Sequence, residues 1–239
     1  MRHLIYGGKW RVARLICRRK WQLARLLSAC GLLVAGIGAS ALLPVDMAQA
    51  VACGPPIAAG TPCTLTGTLG VTAGPLTLTS PTALGWATTA TGLDQQLVDP
   101  TLAHQSYVVN DASGVAAGWH VTVSATTFTS GALTLPNAGT FVTTGSITAE
   151  SATTAPTAAC ASGSTCTLPA DSTTYPVAIT TAAAAPVAVN IYATPVNTGI
   201  GSITIGIGAN PVGWWVNVPA RTLAGTYTST VTLQITSGP

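Results

Sequence analysis

The sequence predicts an all-β protein: an antiparallel β-sandwich with Greek-key-like connections, formed as a single domain after a signal peptide. Threonine supplies 39 of the 189 residues after position 50, and β-branched residues favour strands over helices. Apolar and polar residues alternate with a period of two in several segments, as expected of half-buried strands. Clusters of Asn, Asp and Gly separate these segments and indicate turns.

The first 50 residues have the pattern of a secretory signal peptide. Eight of the nine basic residues lie in the first 25 positions, an apolar stretch follows over 26–45, and Ala48-Gln49-Ala50 offers a cleavage site. We expect residues 1–50 to be removed, which leaves a secreted protein of the cell surface or cell wall without a stable membrane span. A retained anchor is the alternative, since the apolar stretch approaches spanning length. Arg18-Arg19 leaves open whether export is general or twin-arginine dependent.

Residues 51–75 are expected to form a lead-in segment held by a disulfide. Four cysteines remain after position 50, and an even number in an exported chain indicates two disulfides with three possible pairings. We favour the pairs that are local in sequence, Cys53–Cys63 and Cys160–Cys166, because each closes a short loop rich in small residues. Their spacing does not fit a zinc site.

Residues 76–239 are expected to form the β-sandwich domain. A long surface loop that holds the second cysteine pair is predicted over 149–174, and the segment 93–99 could form one helical turn. The strands indicated by alternation lie over 119–124, 187–191, 203–207 and 227–235.

Charge and motifs exclude several function classes. After position 50 the chain has one arginine and five carboxylates, a formal balance of −4, so the basic surface that nucleic-acid binding needs is missing. No familiar catalytic motif occurs, and we expect no enzymatic activity, cofactor or metal. His120 is predicted to lie on the polar face of its strand. Asp94 and Asp99 could join a calcium site, but solvated roles are favoured, and Asp111 is predicted to cap its own turn.

Two stretches resemble a known family. The first is Val109-Asn-Asp111 with Ala117-Gly-Trp-His-Val-Thr-Val-Ser-Ala-Thr-Thr-Phe-Thr-Ser-Gly131, and the second is the ending from Val218-Pro219 to Gly225-Thr-Tyr227 and Pro239. Together they resemble the WxL-type surface domain of Gram-positive bacteria. The resemblance implies an exported, β-rich domain that attaches non-covalently to the cell wall, with peptidoglycan as the ligand.

The chain departs from that family at both signature tripeptides. The first is Trp119-His120-Val121, with Val in place of Leu. The second is Leu233-Gln234-Ile235, where the family would carry a tryptophan, and the earlier Trp214-Trp215 pair is the candidate to fill that space.

The tryptophan pair is the predicted ligand site. Pro211 and Pro219 confine its strand to about 212–218 and indicate a sheet edge. Neighbouring residues of a strand point to opposite faces, so Trp214 should face the core while Trp215 and Asn217 face outward. Planar aromatic rings stack on sugars, so we assign ligand binding to Trp215, with Trp119, Trp214 and Asn217. In the alternative, the loop over 149–174 covers Trp215, which then only packs.

The predicted function is that of a non-enzymatic surface protein bound to cell-wall glycan or peptidoglycan. Other surface proteins, or further copies of the chain, are possible partners. The alternative is a self-associating structural or adhesive subunit, because a low-charge, threonine-rich body can present strand edges for pairing. A secreted hydrolase is a third and less favoured reading.

Overall fold

The computed structural model describes residues 51–239 except Pro55, so the expected signal peptide lies outside the described residues. Two compact units divide between Gly67 and Thr68. In the first, strand β1 (Val51–Ala52) pairs in parallel with β2 (Cys63–Thr64), and the predicted Cys53–Cys63 disulfide is present with an S–S distance of 2.07 Å.

The second unit, Thr68–Pro239, is built from short strands. A single 3₁₀ turn, Leu102–His104, is the only helical element among the described residues, and no helix there is long and apolar enough to cross a membrane. The strands are β3 (Leu76–Thr79), β4 (Gln95–Val98), β5 (Tyr107–Asp111), β6 (Trp119–Ala125), β7 (Thr129–Ser130), β8 (Leu133–Thr134), β9 (Phe141–Thr144), β10 (Ala158–Cys160), β11 (Val177–Ile179), β12 (Val189–Thr194), β13 (Gly201–Ile205), β14 (Gly213–Val218) and β15 (Val231–Ser237).

These strands form three antiparallel sheets and one small hairpin, β7–β8. The sheet orders are β10-β13-β5-β3, β11-β9-β14-β4 and β12-β6-β15. Strands that neighbour each other in a sheet are not consecutive in sequence, so the chain repeatedly crosses from one sheet to another. The all-β, antiparallel, sandwich-like fold predicted from the sequence is confirmed.

The core lies where the apolar faces of the three sheets meet. In β6, Trp119, Val121, Val123 and Ala125 are fully buried, whereas the residues between them are half-buried. That pattern confirms the face assignment made from alternation. Burial of each of the two valines contributes roughly 1.5–3 kcal/mol relative to exposure.

Two local predictions are wrong. The segment 93–99 forms strand β4 rather than a helical turn, because Gln95–Val98 pairs with β14 along its whole length. The segment 149–174 is not only loop, because β10 pairs with β13 within it. The predicted Cys160–Cys166 disulfide is present there, with an S–S distance of 2.01 Å.

Strand β14 is an interior strand, which corrects the prediction of a sheet edge. It pairs with β9 on one side and with β4 on the other. Pro211 and Pro219 lie just outside its bounds, so neither removes a hydrogen-bond donor from the sheet. Proline therefore limits the length of this strand without deciding its place in the sheet.

Candidate functional site

Trp214 belongs to the core, as predicted. Its side chain is only 1% exposed, its Nε1–H donates to the carbonyl of His104 over 2.9 Å, and its ring packs against Phe141 at 6.0 Å.

Trp215 lies on the opposite face of β14, as predicted, but the expectation that it is exposed is wrong. It is 6% exposed, and its Nε1–H donates to the carbonyl of Ser146 over 2.9 Å. The segment 145–155, which we call the covering segment, lies on this face and is fixed by the bond from the Gly145 amide to the Thr154 carbonyl. Trp215 is therefore packed, close to what the alternative interpretation expected.

Asn217 is also engaged within the protein. Its Nδ2 group donates to the Gly139 carbonyl over 2.7 Å and to Glu150 Oε1 over 2.6 Å, while Gln96 donates to the other oxygen of Glu150. Glu150 belongs to the covering segment, so these bonds hold that segment against the sheet. Asn217 contributes here to closing the face of the sheet.

Trp119 lies in a different sheet and is completely buried. Its Nε1–H donates to the Gly199 carbonyl over 2.8 Å, and its ring stacks on Tyr192 at 5.8 Å. The four predicted ligand residues therefore do not form one exposed surface. Trp215 and Asn217 share a covered face, and Trp119 and Trp214 are core residues.

An open aromatic groove lies elsewhere, around Trp86 and Tyr227. It consists of two clefts of about 370 Å³ and 560 Å³ that share Trp86, Phe128 and Tyr227. Leu93 and Leu223 form an exposed apolar rim on the first cleft, at 72% and 63% exposure. The second cleft runs between the chain segments 81–85 and 228–231 and reaches the core ring of Trp214.

Trp86 is held as a rigid platform in this groove. Its Nε1–H donates to the Trp214 carbonyl over 2.9 Å. Its ring contacts Phe128 and Phe141 edge-to-face, both at 5.8 Å between centroids. The side chain remains partly exposed, so one part of the ring is anchored in the core while another lines the clefts.

A buried carboxylate positions the segment that carries Trp86. Asp99, which has no exposed surface, accepts from the Gly85 amide over 2.8 Å, the Thr101 amide over 2.9 Å and His104 Nδ1 over 2.7 Å. Burial alone would raise the pKa of Asp99. The hydrogen bonds from Thr101, Gly85 and His104 outweigh burial, so the pKa is lowered and the carboxylate stays charged.

The other wall of the groove is fixed by two contacts. Asp94 Oδ1 accepts from the Ala220 amide over 2.8 Å, which ties the segment after β14 to the segment before β4. The Tyr227 hydroxyl donates to the Leu223 carbonyl over 3.0 Å. Asp94 and Asp99 are thus both used as hydrogen-bond acceptors for the backbone, which accounts for them without the calcium site considered above.

The groove is lined without formal charge. No Asp, Glu, His, Lys or Arg is among the residues that line either cleft. Threonines 88, 91, 222 and 226 and Gln95 supply hydrogen-bonding groups beside apolar surface. Such a surface suits an uncharged ligand with both apolar faces and hydroxyl groups.

Several other titratable groups are engaged within the fold. Asp171 accepts from the Ala193 amide over 3.0 Å and from the Tyr175 hydroxyl over 2.9 Å, and burial raises the pKa of Tyr175 and of Tyr107 well above their usual value. Asp111 accepts from the Ser113 amide over 3.0 Å, the predicted turn cap. Within residues 51–239 no three His, Cys, Asp or Glu side chains are grouped to hold a metal ion.

Sequence reasoning missed the groove because Trp86 lies outside the alternating segments, and because alternation assigns Tyr227 to the strand predicted over 227–235. Trp86 lies in an irregular segment between β3 and β4, and Tyr227 lies before β15 begins. A tryptophan in a polar, irregular segment is a weak signal for an exposed ring. Comparison with family models, with curated proteins and with solved structures finds no match to this chain.

Proposed function

We propose that this is an exported, non-enzymatic surface protein that binds an uncharged stretch of cell-wall glycan, such as the glycan of peptidoglycan, through the aromatic groove. The observation that carries the proposal is the Trp86 ring, which is fixed by contacts with the core and lines both clefts. A preformed platform binds without the cost of ordering a flexible side chain.

Sugar rings match the chemistry of the groove. Their apolar faces stack on aromatic rings, and their hydroxyl groups pair with polar groups at the rim. The two clefts meet at Trp86 and Tyr227, so a chain of linked sugars can pass over both rings. The resemblance to wall-binding domains points to the same ligand class.

The lining of the groove favours retention of the glycan over its cleavage. Glycosidases in general place two carboxyl groups on either side of the scissile bond, and the residues lining both clefts include no carboxylate. The two disulfides fit an oxidising environment outside the cytoplasm. Both features support a binding protein at the cell surface.

Sedimentation with purified cell walls tests the proposal. Leu93 and Leu223 are largely exposed on the rim, so the double change Leu93→Ala with Leu223→Ala removes ligand contact while leaving the core packed. We expect wall binding to weaken at least about tenfold, which corresponds to roughly 1.4 kcal/mol. Trp86→Phe keeps an aromatic ring and removes the N–H anchor, and we expect an intermediate loss.

The matched control is the pair Val187→Ala and Val196→Ala, which removes apolar side chains of similar exposure, 72% and 54%, that line neither cleft. The control protein should bind walls like the wild type. Equal binding by the rim variant and the control, or a wild-type protein that does not sediment with walls, would refute the proposed site.

A further inference from the structure

The three sheets leave edge strands of very different character. Strands β3 and β4 have four residues each, and β10 and β11 have three. Strand β12 is interrupted by a bulge between Asn190 and Tyr192. Short or bulged strands are the usual means of protecting a sheet edge against pairing with another chain.

Strand β15 lacks all of these protections. It has seven residues, VTLQITS, with no proline and no charge, and it pairs in regular register with β6 alone. Strand β3 lies close to β15 but does not pair with it. One side of the β15 backbone is therefore without a strand partner.

The apolar face of β15 is also incompletely buried. Val231, Leu233 and Ile235 point to the same side as the core residues of β6 but are only half-buried, whereas their register partners Val121 and Val123 are fully buried. The edge is thus open to solvent beside these side chains. A further strand placed there would bury them.

The sequence of β15 is self-complementary about Gln234. In an antiparallel pair of two β15 strands centred on this residue, Gln234 lies opposite itself, Thr232 opposite Thr236, and Leu233 opposite Ile235. The outer face then pairs threonines and glutamines, which can hydrogen-bond, while the inner face pairs Leu233 with Ile235 at the centre and Val231 with Ser237 at the ends. No like charges meet.

We propose that β15 is a homodimerisation edge, at which a second copy of this chain pairs antiparallel across a two-fold axis at Gln234. The pairing joins two sheets into one of six strands and closes the longest open edge of the described residues. An isologous contact of this kind uses the same strand in both copies and is closed by symmetry. It goes beyond glycan binding, and its axis at Gln234 lies outside both clefts, although Val231 and Leu233 also line the second one.

Sedimentation velocity of the purified protein with both disulfides formed tests the proposal through charge reversal at the axis. The wild type should be dimeric. Gln234→Lys and Gln234→Glu should each raise the dimer dissociation constant about tenfold or more, because like charges then meet directly. Mixing the two variants should restore a dimer that contains one copy of each.

A matched control changes the other edge of the same sheet. Asn190 is exposed on β12, so Asn190→Lys adds the same charge away from the proposed axis and should leave the dimer intact. A second pair of variants tests the same interface without changing Gln234, so that a folding defect caused by that substitution cannot be mistaken for loss of the dimer. Thr232→Lys with Thr236→Lys should separate the copies, whereas Thr232→Lys with Thr236→Glu should not, because opposite charges then face each other.

Three results would overturn the proposal. The first is a wild-type protein that stays monomeric at high micromolar concentration. The second is a Gln234→Lys variant as dimeric as Asn190→Lys. The third is a folded Lys/Lys variant at positions 232 and 236 that associates as strongly as the Lys/Glu variant.

Discussion

At the scale of single residues, Asp99 lines neither cleft, yet it positions the segment that carries Trp86. Its carboxylate accepts from the Gly85 amide, next to Trp86, and from His104, whose carbonyl in turn accepts from Trp214. The sequence shows an aspartate before a proline and a histidine five positions later. It does not show that this aspartate also accepts from the amide of a glycine 14 positions earlier, because that contact depends on how the loop between β3 and β4 folds back.

The lowered pKa of Asp99 makes the fold sensitive to acid. Its folded-state pKa lies below the ordinary value of 3.8, so the charged carboxylate stabilises the protein above that value, and the contribution is lost as pH falls through the folded pKa. We expect Asp99→Asn to melt well below the wild type at pH 6, and the difference to narrow below about pH 4. Thermal melting from pH 6 to pH 2 measures this, and a difference that stays constant would contradict it.

At the scale of elements, features that depend only on neighbouring residues could be predicted from the sequence, and features that depend on distant segments could not. The parity of residues within a strand is local, so the faces of β6 and of the Trp214-Trp215 pair could be predicted from alternation. Which strands become neighbours is not local. The residues Gln95–Val98 are strand only because β14 lies beside them, and β14 is interior only because β9 and β4 arrive from distant parts of the chain.

The burial of Trp215 also depends on a distant part of the chain. Its side chain lies on the outward face of β14, and the covering segment, about 60–70 positions earlier, lies over that face. Gly213 marks how closely the covering segment approaches, because a Cβ atom on it would lie 1.8 Å from the Ser146 carbonyl oxygen and 2.7 Å from Trp215 Nε1. Neither neighbour can give way without losing the hydrogen bond between them.

We therefore expect Gly213→Ala to displace the covering segment and expose Trp215. The free energy of unfolding should fall by about 1–3 kcal/mol, the usual cost of overpacking, with a red shift of tryptophan fluorescence. Gly70→Ala is the control, because a Cβ there meets nothing within 4 Å, and it should melt like the wild type. A Gly213→Ala protein as stable as the control would show that this segment does not lie on β14.

At the scale of the whole molecule, the second unit combines a binding groove with an open sheet edge. The groove is lined by residues of the segment 81–97, of β14 and around Tyr227, whereas the proposed dimer axis lies at Gln234 in the middle of β15. Residues 228–231 and Leu233 line the second cleft, so groove and edge adjoin. Neither feature follows from composition, which indicates only that the surface is poor in charge.

If both proposals hold, dimerisation strengthens attachment to an extended wall and leaves the first cleft free, since no residue of β15 lines it. Two linked sites bind a repeating surface with an avidity that can exceed the affinity of one site by roughly 10²–10⁴-fold. We therefore expect Gln234→Lys to bind a short soluble glycan fragment like the wild type, measured by calorimetry, but to dissociate from intact walls at least about tenfold faster. Asn190→Lys should match the wild type in both measurements. Suppose that the Gln234→Lys protein is monomeric but dissociates from walls at the same rate as the Asn190→Lys protein. Each copy would then attach independently, and dimerisation would not strengthen binding.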